Sequence, residues 1–537
     1  MIMKRFSKVI ILFLLLCSCS IERMAADLYP SNSIPPLNLS DFLSQSSGTG
    51  NSSSSIPEVI ITLPNGGQFY SQEDFLSFYD DYQNFHNEDY VLDNFKNADD
   101  AEQEVLETVY KSFKEYTNYH NDNAYTGRYK NYNLITILSE TLELHFADKN
   151  LTPNIWKLMN HGMYFENYYV SEFQEGATCN SEYMAHSGLF PNVDSSWGNN
   201  MCQNKLSTNN IFKFSLPAQL KANDYDTFYF HSGYRNFYNR GVFIPNFGFD
   251  TYNIKFLESL RNKDFYPKDN KGKEKVDYFS DEKLTIFFEE FLNPAEYANN
   301  EKNFYVSMLT YSMHGGYSSN SLAVSEERIN RVLTSLNKTS KYFEGHEESL
   351  YYLAKMTAYD DFIGNLISWL EDNGLADNTL IAIYRDHHPY MMNQDHYVWY
   401  MDEVIDGGFK STDLERFHHP LIIAEAGNLD KNQEIIYEAG SNLDLAPTFL
   451  NLLGVQASYR HFHGVDILSG NSYAFLSKQN NSRTNELLID RNGKIIEVGN
   501  ESDDVKALVY LAIKLKQLEI VTDMINTNYF KYYYYSN

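Results

Sequence analysis

The chain has 537 residues, with 43 Lys and Arg against 71 Asp and Glu for a net charge of −28, and 43% of it is hydrophobic. That apolar share supports a sizeable core and, with only 4 Cys, excludes wholesale disorder, a collagen-like rod and a disulfide-framework mini-protein. The acidic excess also excludes a nucleic-acid binder, because the bulk field repels phosphate backbones, and any anionic substrate must be held by a local cation or metal.

Residues 1–18 read as a secretory signal. Lys4, Arg5 and Lys8 precede the apolar run from Val9 to Leu16, about half of the roughly 20 residues a membrane-spanning helix needs. The run ends Leu16-Cys17-Ser18-Cys19. This resembles a bacterial lipobox, with the small Ser18 before a Cys19 that would be lipidated and tether the mature chain, extracytoplasmic, to the cell membrane. An ordinary secretory signal with incidental cysteines is the alternative. Cys179 and Cys202 are then the remaining thiols; the compartment permits a disulfide between them, and spacing leaves the pairing open.

Residues 19–58 are rich in Ser, Asn, Gly and Pro, including Ser52-Ser-Ser-Ser55, and read as a flexible tether. Residues 59–130 read as a helical stem or flanking subdomain. Phe75, Phe78, Tyr79, Tyr82 and Phe85, then Val105, Val109 and Phe113, recur at mostly helical spacing between Gln72 and Tyr119. Their aromatic stripe is assigned to packing rather than to a ligand.

After Tyr132 short apolar runs alternate with amphipathic segments, the pattern of an α/β fold with a central, mostly parallel sheet flanked by helices. Strands are expected at Leu134–Leu138, Asp226–His231, Asn303–Thr310, Thr379–Tyr384 and Leu421–Ala424, and helices at Thr152–His161, Leu350–Asn373 and Ala446–Leu453. A hairpin at Glu486–Glu497, turning at Asn492-Gly493, and a helix over Asp504–Asn526 complete the chain as a C-terminal unit over 471–537.

In open parallel sheets, ligands bind beyond the carboxyl ends of the strands. Glu140 follows the first strand, Asp386 and His387 follow Thr379–Tyr384, His314 follows Asn303–Thr310, and His231 ends its strand with Arg235 and Arg240 close behind. Singly, each acid reads as a helix cap and each His as a surface or core residue; their convergence carries weight. Carboxylates and imidazole with a hydroxyl suit a hard or borderline divalent cation such as Mn, Mg or Zn. Thr178, in the small-residue turn Gly176-Ala-Thr-Cys-Asn-Ser-Glu182 before an expected helix at Tyr183–Gly188, can supply that hydroxyl. A helix N-terminus and a metal would both make it a better nucleophile; the plain alternative is an N-cap.

In order, Asn133-Leu-Ile-Thr-Ile-Leu-Ser-Glu140, Thr152-Pro-Asn-Ile-Trp-Lys-Leu158, Gly162-Met-Tyr-Phe-Glu-Asn167, Gly176-Ala-Thr178, Phe237-Tyr-Asn-Arg240, Phe247-Gly-Phe-Asp250, Ser312-Met-His314, Asp377-Asn-Thr-Leu380, Asp386-His387, Leu445-Ala-Pro-Thr-Phe-Leu-Asn-Leu-Leu-Gly454 and His463-Gly-Val-Asp466 resemble the sulfatase-like catalytic domain of lipoteichoic acid synthases in the alkaline phosphatase superfamily. The resemblance covers residues 131–470. It implies one divalent cation, Mn or Mg first and Zn or Ca as alternatives, held by Glu140, Thr178, Asp386 and His387. Thr178 is implied as a nucleophile that forms a glycerophosphate-enzyme intermediate. Arg240 would clamp phosphate oxygens, His314 would act as acid or base, His231 would contact substrate or leaving group, and Tyr238 would line the glycerol pocket where the family commonly has Trp.

The implied activity is a cell-surface phosphoglycerol transferase or phosphodiesterase. Its substrate would be an anionic glycerophospholipid head group or an envelope polymer; nothing is implied about oligomeric state. A hydrolase of another phosphate, phosphonate or sulfate ester, and a catalytically silent envelope-binding relative, are the alternatives. Sulfate is disfavoured because Cys179 is followed by Asn180, Ser181, Glu182 and Tyr183, not by the Cys-x-Pro-x-Arg context of formylglycine sulfatases. The chain departs from the family in three ways. His388 and Pro389 follow the Asp-His pair where Gly is usual, leaving His388 as an extra ligand or without a role. Gly233 stands where an acid often contacts substrate. The expected lipid anchor would take the place of the family's upstream membrane domain.

Overall fold

The computed structural model describes residues 61–62, 68–69, 88–115, 122–173, 177–192, 201–202, 209–260, 280–298, 302–405, 416–455, 457, 459–470, 473–480, 483–492, 494–497 and 505–533. The leader, Cys19, the tether, the aromatic stripe from Phe75 to Phe85, Gly176 and Gly493 lie outside these residues. Among the described residues no helix is long and apolar enough to cross a membrane.

The central sheet has eight strands: β1 (Asn133–Ser139), β2 (Met163–Phe165), β3 (Tyr225–His231), β4 (Ile254–Phe256), β5 (Asn303–Leu309), β6 (Thr379–Arg385), β7 (Leu421–Glu425) and β8 (Glu434–Ile436). Their order across the sheet is β8-β2-β7-β6-β1-β5-β3-β4. From β6 to β4 all neighbours are parallel, whereas β7 is antiparallel to both β6 and β2. All five strands expected from the sequence are present. The three the sequence analysis missed have 3 residues each, too few to raise a periodic signal.

The strands read as nearly continuous apolar runs because both faces of the sheet are covered. Successive side chains point to opposite faces, which splits the core into two layers. Leu134, Leu138, Tyr305, Leu309, Leu380, Ala382 and Tyr384 pack into one; Ile135, Ile137, Phe304, Val306, Met308, Ile381 and Ile383 pack into the other.

On the first face lie α1 (Glu88–Phe95) and α2 (Asp100–Glu115), whose Val91, Phe95, Leu106, Val109, Tyr110 and Phe113 join the sheet's own apolar cluster. On the second face are α3 (Pro153–His161) and the long α5 (Glu347–Asp372), either side in sequence of α4 (Thr178–Ser187) on the first face. Pro153 suits the first helical position. The amides of Asn154 and Ile155 are left without helical partners and donate instead to Asp360 Oδ1 of α5 at 2.9 and 2.8 Å. On the first face again, α6 (Leu445–Leu452) buries all eight of its residues.

At the C-terminus the expected hairpin is present as β10 (Arg483–Asp490) against β11 (Ile495–Glu497), with an additional strand, β9 (Tyr473–Asn480), on the other side of β10. The single expected helix is divided at Ile520 into α7 (Val505–Glu519) and α8 (Val521–Asn526). Burial of Ile520, Val521, Met524 and Ile525 in the first layer overrides the continuous helical periodicity.

Several histidines are sealed in this core. His186 lies between Phe247 and Phe249, with ring centroids 5.2 and 5.3 Å away, and burial holds it down to about 3. Burial followed by the charge of Arg460 holds His461 to about 3 as well. Both are therefore neutral in the fold and protonated in the unfolded chain below about 6.5. The unfolded state then binds more protons, so stability present above that value is lost as pH falls. Between about pH 7 and pH 5 we expect a loss of roughly 2 kcal/mol per residue, read from urea midpoints, and a flatter pH dependence in His186→Gln.

Candidate active site

Strands β6, β1, β5 and β3 are adjacent and parallel, and Ser139 pairs with Arg385, Leu138 with Leu309, and Leu309 with His231. Their carboxyl ends are therefore level, and the residues that follow them share one edge. Glu140 is fixed there by its amide, which donates to Thr310 Oγ1 at 3.1 Å. The next residue, Thr141, adopts φ 47°, a left-handed conformation that costs a β-branched residue of order 1–3 kcal/mol. Three hydrogen bonds hold it: its amide donates to Asp386 Oδ1 at 2.8 Å, its hydroxyl to the Met313 carbonyl at 2.7 Å, and its carbonyl accepts from the Tyr352 hydroxyl at 2.6 Å.

Thr178 is the first residue of α4, whose N-cap is Ala177, so the helix starts earlier than the sequence suggests and the threonine side chain is not the cap. Its Oγ1 lies 3.3 Å from Glu140 Oε2 and 3.4 Å from His387 Nε2. Cys179 is disulfide-bonded to Cys202 across a Cα–Cα distance of 6.0 Å, which settles the open pairing and ties the start of α4 to a neighbouring segment. Ser181 Oγ, further along α4, donates to the Asp386 carbonyl at 2.5 Å.

The four expected ligands thus come together. Ligand atoms of Glu140, Asp386 and His387 lie within 4.8 Å of one another, and Glu140, Thr178, Asp386 and His387 are all buried. Asp386 Oδ1 accepts two amides, from Thr141 and His387, each at 2.8 Å. Its Oδ2 is buried and, among the described residues, accepts no hydrogen bond, though it lies 3.1 Å from His387 Nε2. Burial first, and then the charge of Asp386, push Glu140 well above the usual carboxylate range. Two crowded carboxylates, one with an orphaned oxygen, beside an imidazole nitrogen and a hydroxyl form a donor set that fits a hard or borderline divalent cation.

Arg240 is also at this edge, buried, with Nε donating to Glu182 Oε2 at 2.7 Å. Glu182 Oε1 accepts the Tyr229 hydroxyl at 2.6 Å. This pins one side of the guanidinium, while its two terminal nitrogens make no hydrogen bond among the described residues. Tyr238 lies over its other side, ring centroid 5.3 Å from Cζ. Tyr238 and Asn239 take consecutive left-handed conformations, φ 53° and 55°, which form the tight turn that presents Arg240. Sequence reasoning missed the role of Glu182 and Tyr229. The signals were positional: Glu182 is four residues after Thr178 on one helix face, and Tyr229 two before His231 on one strand face.

His314 is half-buried and stacks on Tyr311 at 5.2 Å. Burial lowers its proton affinity, and the charges of Asp386 and His387 are close enough to act on it. Lys355 of α5, also missed, is buried and holds the turn that carries His314 by donating to the carbonyls of Ser312 and His314 at 3.1 and 2.8 Å. His231 is buried with Nδ1 3.1 Å from the Leu309 carbonyl, and burial, then Arg240, push it well below the usual imidazole range. A Cβ at position 233 would lie 2.2 Å from His231 Nε2, so this histidine's placement explains Gly233. His388 is not among the gathered ligands; it pairs with the buried Glu172, Nδ1 to Oε1 2.8 Å.

The Sulfatase family model matches residues 132–455. The chain is 26% identical over 427 residues to lipoteichoic acid synthase 2 of Bacillus subtilis, covering 77% of this chain and 59% of that protein. It is 24% identical over 396 residues to a lipoteichoic acid synthase of Staphylococcus aureus, covering 71% and 55%. The chain therefore spans less than two thirds of the length of these relatives. Among solved structures, it superposes on the lipoteichoic acid synthase LtaP from Listeria monocytogenes with a TM-score of 0.57 at 22% identity, covering 78% of this chain and 98% of that one. A Vibrio parahaemolyticus protein in the alkaline phosphatase superfamily gives a TM-score of 0.51 at 19% identity, covering 83% and 100%. With the family model spanning more than half its length, this chain belongs to the sulfatase family, and lipoteichoic acid synthases are among its distant relatives.

Proposed function

We propose that this sulfatase-like enzyme is a metal-dependent phosphoglycerol transferase or phosphodiesterase working through Thr178, on the head group of a glycerophospholipid or on an envelope polymer. The observation that carries the reading is the position of Thr178 Oγ1, 3.3 Å from Glu140 and 3.4 Å from His387, beside an Arg240 whose terminal nitrogens make no hydrogen bond among the described residues. The distant likeness to lipoteichoic acid synthases supports the choice of phosphodiester over sulfate ester.

In this reading Glu140, Thr178, Asp386 and His387 would hold one divalent cation, Mn or Mg. When bound, the cation lowers the proton affinity of a coordinated hydroxyl and offsets phosphate charge. Arg240, with Nε committed to Glu182, offers its two terminal nitrogens to two phosphoryl oxygens, a geometry its planar fork matches. Thr178 Oγ1, its proton passed to solvent, attacks phosphorus, the bond from phosphorus to the leaving alcohol breaks, and Oγ1 takes a proton back from solvent when it is later displaced. His314 gives that alcohol its proton, and later takes one from the acceptor hydroxyl or water that displaces Thr178. His231 would contact the substrate or leaving group, and Tyr238, over the Arg240 guanidinium, would line the glycerol pocket. The chain works outside the cytoplasm, tethered through Cys19. A silent binding relative would have no need for four donor side chains gathered at one point beside a buried guanidinium.

The full chain with Mn and a fluorescent phosphatidylglycerol should release head group, lose this activity on chelation and regain it with Mn. Thr178→Ala should abolish both release and the glycerophosphate adduct that mass spectrometry finds on the wild type. Release that persists in Thr178→Ala would refute the covalent route. Glu182→Gln removes the charge that pins Arg240. We expect kcat/KM to fall roughly tenfold to a hundredfold, as for loss of a hydrogen bond between charged groups, while Mn affinity measured by titration stays unchanged.

A further inference from the structure

Next to the gathered ligands is a buried carboxylate–histidine pair that the proposed chemistry does not use. The Glu172 side chain is 5% exposed. Its Oε1 accepts the amide of His388 at 2.7 Å, and the two oxygens lie 2.8 and 3.0 Å from His388 Nδ1. Burial alone would raise this carboxyl, but the charge and hydrogen bonds of His388 outweigh it and leave it below the usual range. The carbonyl of the same residue accepts the Nδ1 proton of His387 at 2.9 Å, and also the Tyr390 amide at 2.7 Å. One peptide residue is therefore held at its nitrogen by Glu172 and in turn holds His387 with its oxygen.

The consequence is tautomeric. A neutral imidazole carries one proton, so a proton fixed on Nδ1 leaves the lone pair on Nε2. That nitrogen is the one aimed at the site, 3.1 Å from Asp386 Oδ2 and 3.4 Å from Thr178 Oγ1. Pro389 restricts His388 to extended conformations, so any displacement of its amide also turns its carbonyl. We infer that Glu172 is a positioning residue for the metal centre: by gripping the main chain and ring of His388 it fixes the carbonyl that selects the metal-binding tautomer of His387. This rests on the metal-dependent reading above, and it gives the histidine that replaces the usual glycine a defined task.

The test is Mn affinity of the full chain, titrated alongside turnover and thermal unfolding in chelator. Glu172→Ala should weaken Mn binding by about 10–100-fold, the usual size of such outer-sphere effects, with turnover recovering at saturating Mn. Glu172→Gln keeps an oxygen for the His388 amide and should stay within a few fold of wild type. His388→Ala keeps the main chain and should lose less than Glu172→Ala. Should Glu172→Ala not fold, Glu172→Asp, charged but one methylene too short, should show the same weakening. Wild-type Mn affinity in both Glu172→Ala and Glu172→Asp would overturn the inference, as would equal losses across all variants in step with their unfolding temperatures. Wild type that binds no divalent cation would overturn both this inference and the metal-dependent reading. Mn binding that weakens as expected, with no phosphodiester turned over by any form, would uphold the inference and remove only the activity.

Discussion

Two carboxylates forced together out of water set the terms for this molecule. Glu140 and Asp386 follow adjacent parallel strands, and the register that levels those strands leaves them no room to separate. Buried like charges are costly unless positive charge answers them. Three buried cations on nearby elements are already engaged: Arg240 with Glu182, Arg385 with Glu143 at 2.6 Å, and Lys355 with two carbonyls. Arg240 lies close enough to Glu140 to ease its burden without pairing with it. The remaining demand falls on a point bounded by His387 and Thr178, where an imidazole nitrogen and a hydroxyl stand beside the acids.

The rest of the fold supplies the walls. Alternation along each strand sends one set of side chains to each layer, so both faces of the sheet are dry and its carboxyl edge is the surface left for chemistry. Glu143 and Arg385 seal the floor just outside this edge. Burial would raise Glu143, but the Arg385 charge, then His145, hold it below the usual range, and the Tyr397 hydroxyl donates to it at 2.9 Å. Arg385 immediately precedes Asp386, so this pair also anchors the end of β6.

Much of this arrangement was legible in the residues. The central strands are long, apolar on both faces and bounded by polar turns, so they stand out, and the residues after them inherit their position from topology. Thr178 was legible as a member of a small-residue turn, but its release from capping depended on Ala177 taking that place. What escaped was relational. Glu172 gives no signal in its own sequence neighbourhood, because its partner His388 is brought to it only by the fold. Lys355 reads as an ordinary polar residue on an amphipathic helix until its ammonium is seen between two carbonyls. The break at Ile520 and the strand β9 follow from packing against distant elements, which a local periodicity does not register.

Helix α5 carries a consequence of its own. Tyr352, Lys355 and Tyr359 share one of its faces and reach two segments of the edge: the exit of β1, through the Thr141 carbonyl and the Ser139 hydroxyl, the latter 2.6 Å from the Tyr359 hydroxyl, and the turn that carries His314, through the carbonyls of Ser312 and His314. Spaced three and four residues apart on a single rod, these contacts work as a jig that sets both segments against one straight edge. A slide or tilt of the rod would carry the segments bearing Glu140 and His314 along together, leaving the carboxyl edge of the sheet a single soft coordinate where independent loops would have had many.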